Sequence, residues 1–141
     1  MEKVMLMNDV AYGLIVETKL SYERAVELSR SLLRDEGFGV QCDIDVSTTV
    51  REKIGESFRP YRILGVCNPQ LAHKALTAEP QLGLMLPCNL VVQEVEGRVV
   101  VSAIDPRAMM RFVGNASLGA IANEVYEALK RVLDRISTAT R

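Results

Sequence analysis

The sequence predicts an α+β fold: one antiparallel sheet with helices packed on one face. Three observations predict it. Glu96-Gly97 separates two apolar runs and makes a tight reversal, which forces the strands on either side antiparallel. Val40 to Val50 alternates apolar and polar residues, as a strand with one covered and one wet face does. The run from Ser117 to Ile136 repeats Leu118, Ile121, Val125, Leu129 and Val132 at helical spacing, an apolar stripe wide enough to cover a sheet.

Taken in order, residues 1–10 read as a short lead-in strand or tail. Tyr12 to Thr18 is the first strand, with Tyr12, Leu14 and Val16 on one face. Ser21 is a helix N-cap, Glu23 suits the positive end of the dipole, and Gly37 closes the helix. Val40 to Val50 is the second strand. It turns Val40, Cys42, Ile44 and Val46 one way and Gln41, Asp43 and Asp45 the other. Arg51 to Phe58 reads as a helical turn or loop. Tyr61 to Cys67 is the third strand, apolar on both faces and so central.

Asn68 is a favoured N-cap and Pro69 a favoured first helical residue, so a short extra helix follows the third strand, over Pro69 to Thr77. Pro80 and Gly83 break it. Asn89 to Val95 and Arg98 to Ile104 form the hairpin, and Arg107 to Val113 a helical turn stopped at Gly114. The long helix ends near Ile136, with a frayed tail beyond.

The 141 residues read as a single domain over 1–141, large enough to bury a core without staples. A net charge of -1 and a pI near 5.9 argue against nucleic acid as partner. No run approaches a membrane span, and Met1 to Asn8 lacks the features of a signal peptide, so a cytoplasmic location is expected. Three cysteines there should be free thiols. No phosphate-binding glycine loop, nucleophile elbow or His-rich metal motif is present, and no cofactor is expected.

In an antiparallel meander of strands two to five, Cys67 ends one strand and Cys88 begins the next. Both thiols then share a rim with Asp105, and Cys42 comes close. His73, the sole histidine, sits about one turn into the short helix and could overhang that rim. Cys67 precedes a helix N-terminus, where the dipole favours a thiolate. The plainer reading is a small buried hydrophobe, since free cysteine is among the most buried residue types. Cys88 follows Pro87 and reads either as a resolving thiol or second pocket donor, or as a small residue fitted beside a turn. Cys42 lies on the apolar face of its strand and reads as core packing. Cys42, Cys67, His73 and Cys88 are metal-ligand types, but no close cysteine pair exists, so no metal is expected. Met109 and Met110 read as gap-filling core.

Phe58-Arg59-Pro60-Tyr61-Arg62-Ile63-Leu64-Gly65-Val66-Cys67-Asn68-Pro69, then Ala72-His73-Lys74-Ala75-Leu76 and Leu86-Pro87-Cys88-Asn89, resemble the domain-of-unknown-function family 302. The likeness extends to Asp105-Pro106 and the terminal helix. It implies an α+β fold similar to a TATA-binding-protein repeat, of order β-α-β(4)-α, and compact homodimers. It brings no established activity. It carries Cys67, Asn68, Pro69, Pro87 and Cys88 as signature positions; at Cys42 the family often has a residue other than a thiol.

Three functions are therefore weighed. The first is a small homodimeric module binding a small molecule, anionic or thiol-reactive, at Cys67, Asn68, Pro69, His73, Pro87 and Cys88, with the helix N-terminus as an anion site. The alternative is a thiol-dependent redox enzyme or sensor, with Cys67 as nucleophile and Cys88 resolving. A structural or interaction domain working through its dimer face is the plainest third.

Overall fold

The structure, a computed structural model, describes residues 10–140. The expected lead-in over residues 1–10 lies outside them except for Val10, which makes an isolated bridge to Gly13. The strands are β1 (Gly13–Thr18), β2 (Gly39–Asp45), β3 (Tyr61–Cys67), β4 (Cys88–Val95) and β5 (Arg98–Ile104). They form one antiparallel sheet in the order β1-β5-β4-β3-β2. The helices are α1 (Tyr22–Asp35), α2 (Val46–Ile54), α3 (Pro69–Ala78), α4 (Pro106–Val113) and α5 (Gly119–Thr138), with 3-10 turns at Pro80–Met85 and Ala116–Leu118. The predicted meander and hairpin are both present. In the hairpin turn Glu96 and Gly97 have φ of 52° and 80°, the pair of positive angles a two-residue turn needs to follow the strand twist.

Alternation along the strands sorts residues into two faces. Leu64 and Val66 of β3, Leu90 and Val92 of β4, and Val101 and Ala103 of β5 point to the helix side and are buried. There they meet Ala25, Leu32 and Leu33 of α1 and Leu129, Leu133 and Ile136 of α5. Each such Leu or Val removed from water contributes about 1.5–3 kcal/mol, which makes this layer the principal source of stability. A second, smaller cluster joins Ala75, Leu82, Met109 and Leu118 beyond the Cys67–Cys88 end of the sheet. The opposite face carries Ile15, Ser102, Val91, Ile63 and Ile44 in one cross-strand row.

Two expectations are corrected. The second strand does not run to Val50; it ends at Asp45, and Val46 starts α2. Asp45 is the N-cap, its Oδ1 accepting from Thr48 N at 3.1 Å and Ser47 Oγ at 2.9 Å, and Gly55 closes the helix with φ 72°. Four-residue alternation cannot be told from the start of a helix when the cap residue also fits the alternating pattern.

The other correction concerns Cys42, which is exposed rather than packed in the core. The register shifts between Val40, opposite Val66, and Cys42, opposite Gly65. Gln41 is the extra residue of a β-bulge, and a one-residue insertion moves everything after it to the other face. Cys42 and Ile44 therefore leave the core side. Asp43 takes their place and meets Arg30 of α1 and Arg62 of β3.

Candidate functional site

The site begins where β3 runs out. Val66 pairs with Cys88, so Cys67 and Cys88 lie at one end of adjacent strands, as the rim reading expected. Asn68 leaves β3 in an extended conformation and caps α3. Its Oδ1 accepts from Gln70 N at 3.1 Å and Leu71 N at 3.2 Å, and its carbonyl accepts from Ala72 N at 2.8 Å. Pro69 at the first helical position has no N–H to satisfy. Across the gap, the cis Leu86–Pro87 peptide leads into Cys88.

Between α3, the sheet end and α5 lies a cavity of about 430 Å³. Cys67, Asn68, Pro69, Pro87 and Cys88 all line it. The rest of the wall is apolar apart from Gln41: Phe38 from the α1–β2 loop, Leu71 and Ala72 from α3, Met109 and Met110 from α4, and Ile121 and Val125 from α5 among them. Among the described residues, no lining side chain carries a charge. The cavity sits at the seam between the two apolar clusters, where Cys88 and Ile121 pack against both. Packing two separately filled cores against a shared strand end leaves space that neither fills.

The thiols are all free. Burial pushes the Cys88 thiol up to about 11, with the neighbouring Cys67 adding to the effect, so Cys88 is a neutral thiol at physiological pH. The helix N-terminus expected to serve as an anion site is spent on its own cap, because the first-turn donors at Gln70, Leu71 and Ala72 already have acceptors.

Two of the sequence's rim residues stand apart. His73 is exposed on α3 and does not line the cavity; its carbonyl accepts from Thr77 Oγ1 at 2.7 Å. Asp105 is buried as the N-cap of α4. Its carboxylate accepts from Arg107 N at 2.9 Å and takes Arg107 Nη2 at 2.9 Å, which holds it below the usual carboxylate range. The sequence reading missed Gln41 and Phe38 on the wall. Met109 and Met110 were visible as apolar helix residues, but nothing in the spacing places them opposite Cys88.

On the opposite face, Tyr12, Ile15, Tyr61, Leu84 and Phe112 surround a hollow of about 780 Å³. Leu84 and Phe112 are 84% and 83% exposed, unusual for side chains of that size. No described helix is long and apolar enough to cross a membrane.

A five-stranded antiparallel sheet with helices against one face, holding an apolar cavity at the end where two thiols meet, defines a small single-sheet α+β protein. The chain belongs to the family of the domain of unknown function DUF302, whose model matches residues 14–136. It is similar to the uncharacterized conserved DUF302 protein from Bacillus stearothermophilus, whose crystal structure superposes with a TM-score of 0.85 at 29% identity, covering 90% of this chain and 99% of that one. No curated protein matches the sequence.

Proposed function

We propose that this protein is a homodimeric, cytoplasmic binding module for a small apolar molecule, held in the cavity between Cys67 and Cys88. One observation carries it: about 430 Å³ of space, within the range of small-molecule sites, is walled by mostly apolar side chains, two thiols and two uncharged amides instead of being filled by them. The uncharged wall and the capped α3 terminus favour an apolar ligand over an anionic one. Binding also suits the thiols better than redox chemistry does. A resolving thiol must ionise, and Cys88 is held protonated by its surroundings.

The homodimer reading draws support from the opposite sheet face. Ile15, Val91 and Ile63 are only half-buried there, Ile44 is exposed, and Tyr12, Leu84 and Phe112 flank them. An apolar sheet face of this kind suits a twofold partner.

The binding reading is tested with the neutral fluorophore N-phenylnaphthylamine, whose emission rises in an apolar site. Ala72, half-buried on the wall, is replaced by Trp to fill the cavity. Saturable binding by the natural chain, weakened at least about tenfold in Ala72→Trp, is expected. Equal binding by both, or none by the natural chain, overturns it.

A further inference from the structure

Resting on the cavity being a ligand site, we infer that its ligand is an uncharged molecule with an apolar body and one hydrogen-bond acceptor, a carbonyl-type oxygen, which the Asn68 amide receives. The wall excludes the other chemistries first. An ion entering this cavity would leave water for a lining with no charged side chain, and an unpaired buried charge is strongly disfavoured. The backbone N–H groups of the α3 first turn cannot compensate, since each already has an acceptor.

Asn68 is different because its cap uses only half of its amide. Two backbone N–H groups point at one atom of the side chain, so that atom must be the acceptor, Oδ1. The Nδ2 group is thereby fixed on the far side with two donor hydrogens, and it has no acceptor among the described residues. It lies beside Gly37, 3.2 Å from where a Cβ on that residue would stand, next in the chain to Phe38, which lines the cavity together with Asn68 and Gln41. The capping bonds hold the donor in place before any ligand arrives, which spares the entropy of ordering it. Gln41, the extra residue of the β-bulge, is the one other side-chain amide on the wall among the described residues. Met109, Leu118 and Ile121 offer only apolar contact, so the polar end of the ligand belongs on the Asn68 side of the wall.

The test displaces N-phenylnaphthylamine with three nine-carbon compounds: methyl heptyl ketone, nonanoate and nonylamine. The ketone should compete at least about tenfold better than either ion. Asn68→Asp keeps the cap, because Asp and Asn cap equally well, but turns the donor into a carboxylate. It should weaken the ketone about tenfold, the loss of one hydrogen bond, beyond any change in the variant's own fluorophore affinity, which is measured directly alongside it. In the natural chain the Asn68 side-chain amide resonances should move on ketone addition, which decides the matter even if Asn68→Asp does not fold. If the fluorophore binds but nonanoate competes as well as the ketone, or Asn68→Asp leaves ketone affinity intact, or the Asn68 resonances stay still, the acceptor assignment is wrong and the cavity reading stands. If the natural chain binds no fluorophore, both fall.

Discussion

Cys42 stands opposite Gly65 across the β2–β3 pair, and its sulfur occupies the space a side chain at position 65 would need. A methyl group on Gly65 would lie 2.6 Å from Cys42 Sγ and 2.8 Å from Pro87 Cγ. The glycine thus lets two neighbouring elements close over β3 just before it delivers Cys67 to the cavity. Gly65→Ala should destabilise the fold by about 1–3 kcal/mol, the usual cost of overpacking. Adding Cys42→Ala should recover part of that loss but not all, since Pro87 remains. Urea unfolding of the two single variants and the double variant measures the coupling; additive losses would show that Cys42 is not the obstruction.

Much of this fold is legible in the sequence because local signals agree with tertiary ones. Ser21, Asn68-Pro69 and Glu96-Gly97 mark a cap, a helix start and a hairpin, and all three do so in the structure. The failures cluster in one place. At Val40 to Asp45 the apolar alternation continues unbroken through a bulge, so pattern alone puts Cys42 on the wrong face. Only the partners of Asp43, Arg30 and Arg62, reveal the shift, and they are distant in sequence. The cavity is illegible for a different reason. Cys67 and Cys88 could be brought together by counting strands, but the space beside them depends on how two apolar clusters fail to merge.

Asp45 makes stability depend on acid. The Thr48 N–H, helped by Ser47 and Arg62, holds its carboxyl down to about 2. Its contribution is therefore fully present above the unfolded value near 3.8 and is lost as pH falls toward 2. Asp45→Ala should cost about 0.5–2 kcal/mol at neutral pH through loss of the α2 cap. Asp45→Asn should keep most of the cap and flatten that acid-side loss. Melting temperatures of the three proteins between neutral and acid pH check this; parallel curves would exclude Asp45 as the titrating group.

Cys88 should act at the other end of the scale. The folded chain keeps its proton at a pH where the unfolded chain has lost it. Stability from this group is constant below the ordinary value of 9.0, falls as pH rises, and levels off past about 11. The interval corresponds to a loss on the order of 2–3 kcal/mol. Cys88→Val should show a shallower alkaline decline than the natural chain. Iodoacetamide at neutral pH should modify exposed Cys42 first and Cys88 last, read by peptide mass mapping. Fast labelling of Cys88 in the folded protein would contradict its burial.

The opposite sheet face yields the last prediction. Ile15, Ser102, Val91 and Ile63 lie side by side in one cross-strand row, beside Tyr12 and the exposed Phe112. A lysine at the centre of that row would place a charge against whatever covers it, yet cost little in a free chain because the site is already half-open. Val91→Lys should therefore split the proposed dimer while leaving the monomer folded. Sedimentation equilibrium at micromolar concentration should give twice the 15.6 kDa chain mass for the natural protein and the single-chain mass for the variant, with unchanged circular dichroism. A single-chain mass for the natural protein would rule out the dimer. A dimeric Val91→Lys would move the interface elsewhere, with the β2 edge strand as the next surface to test.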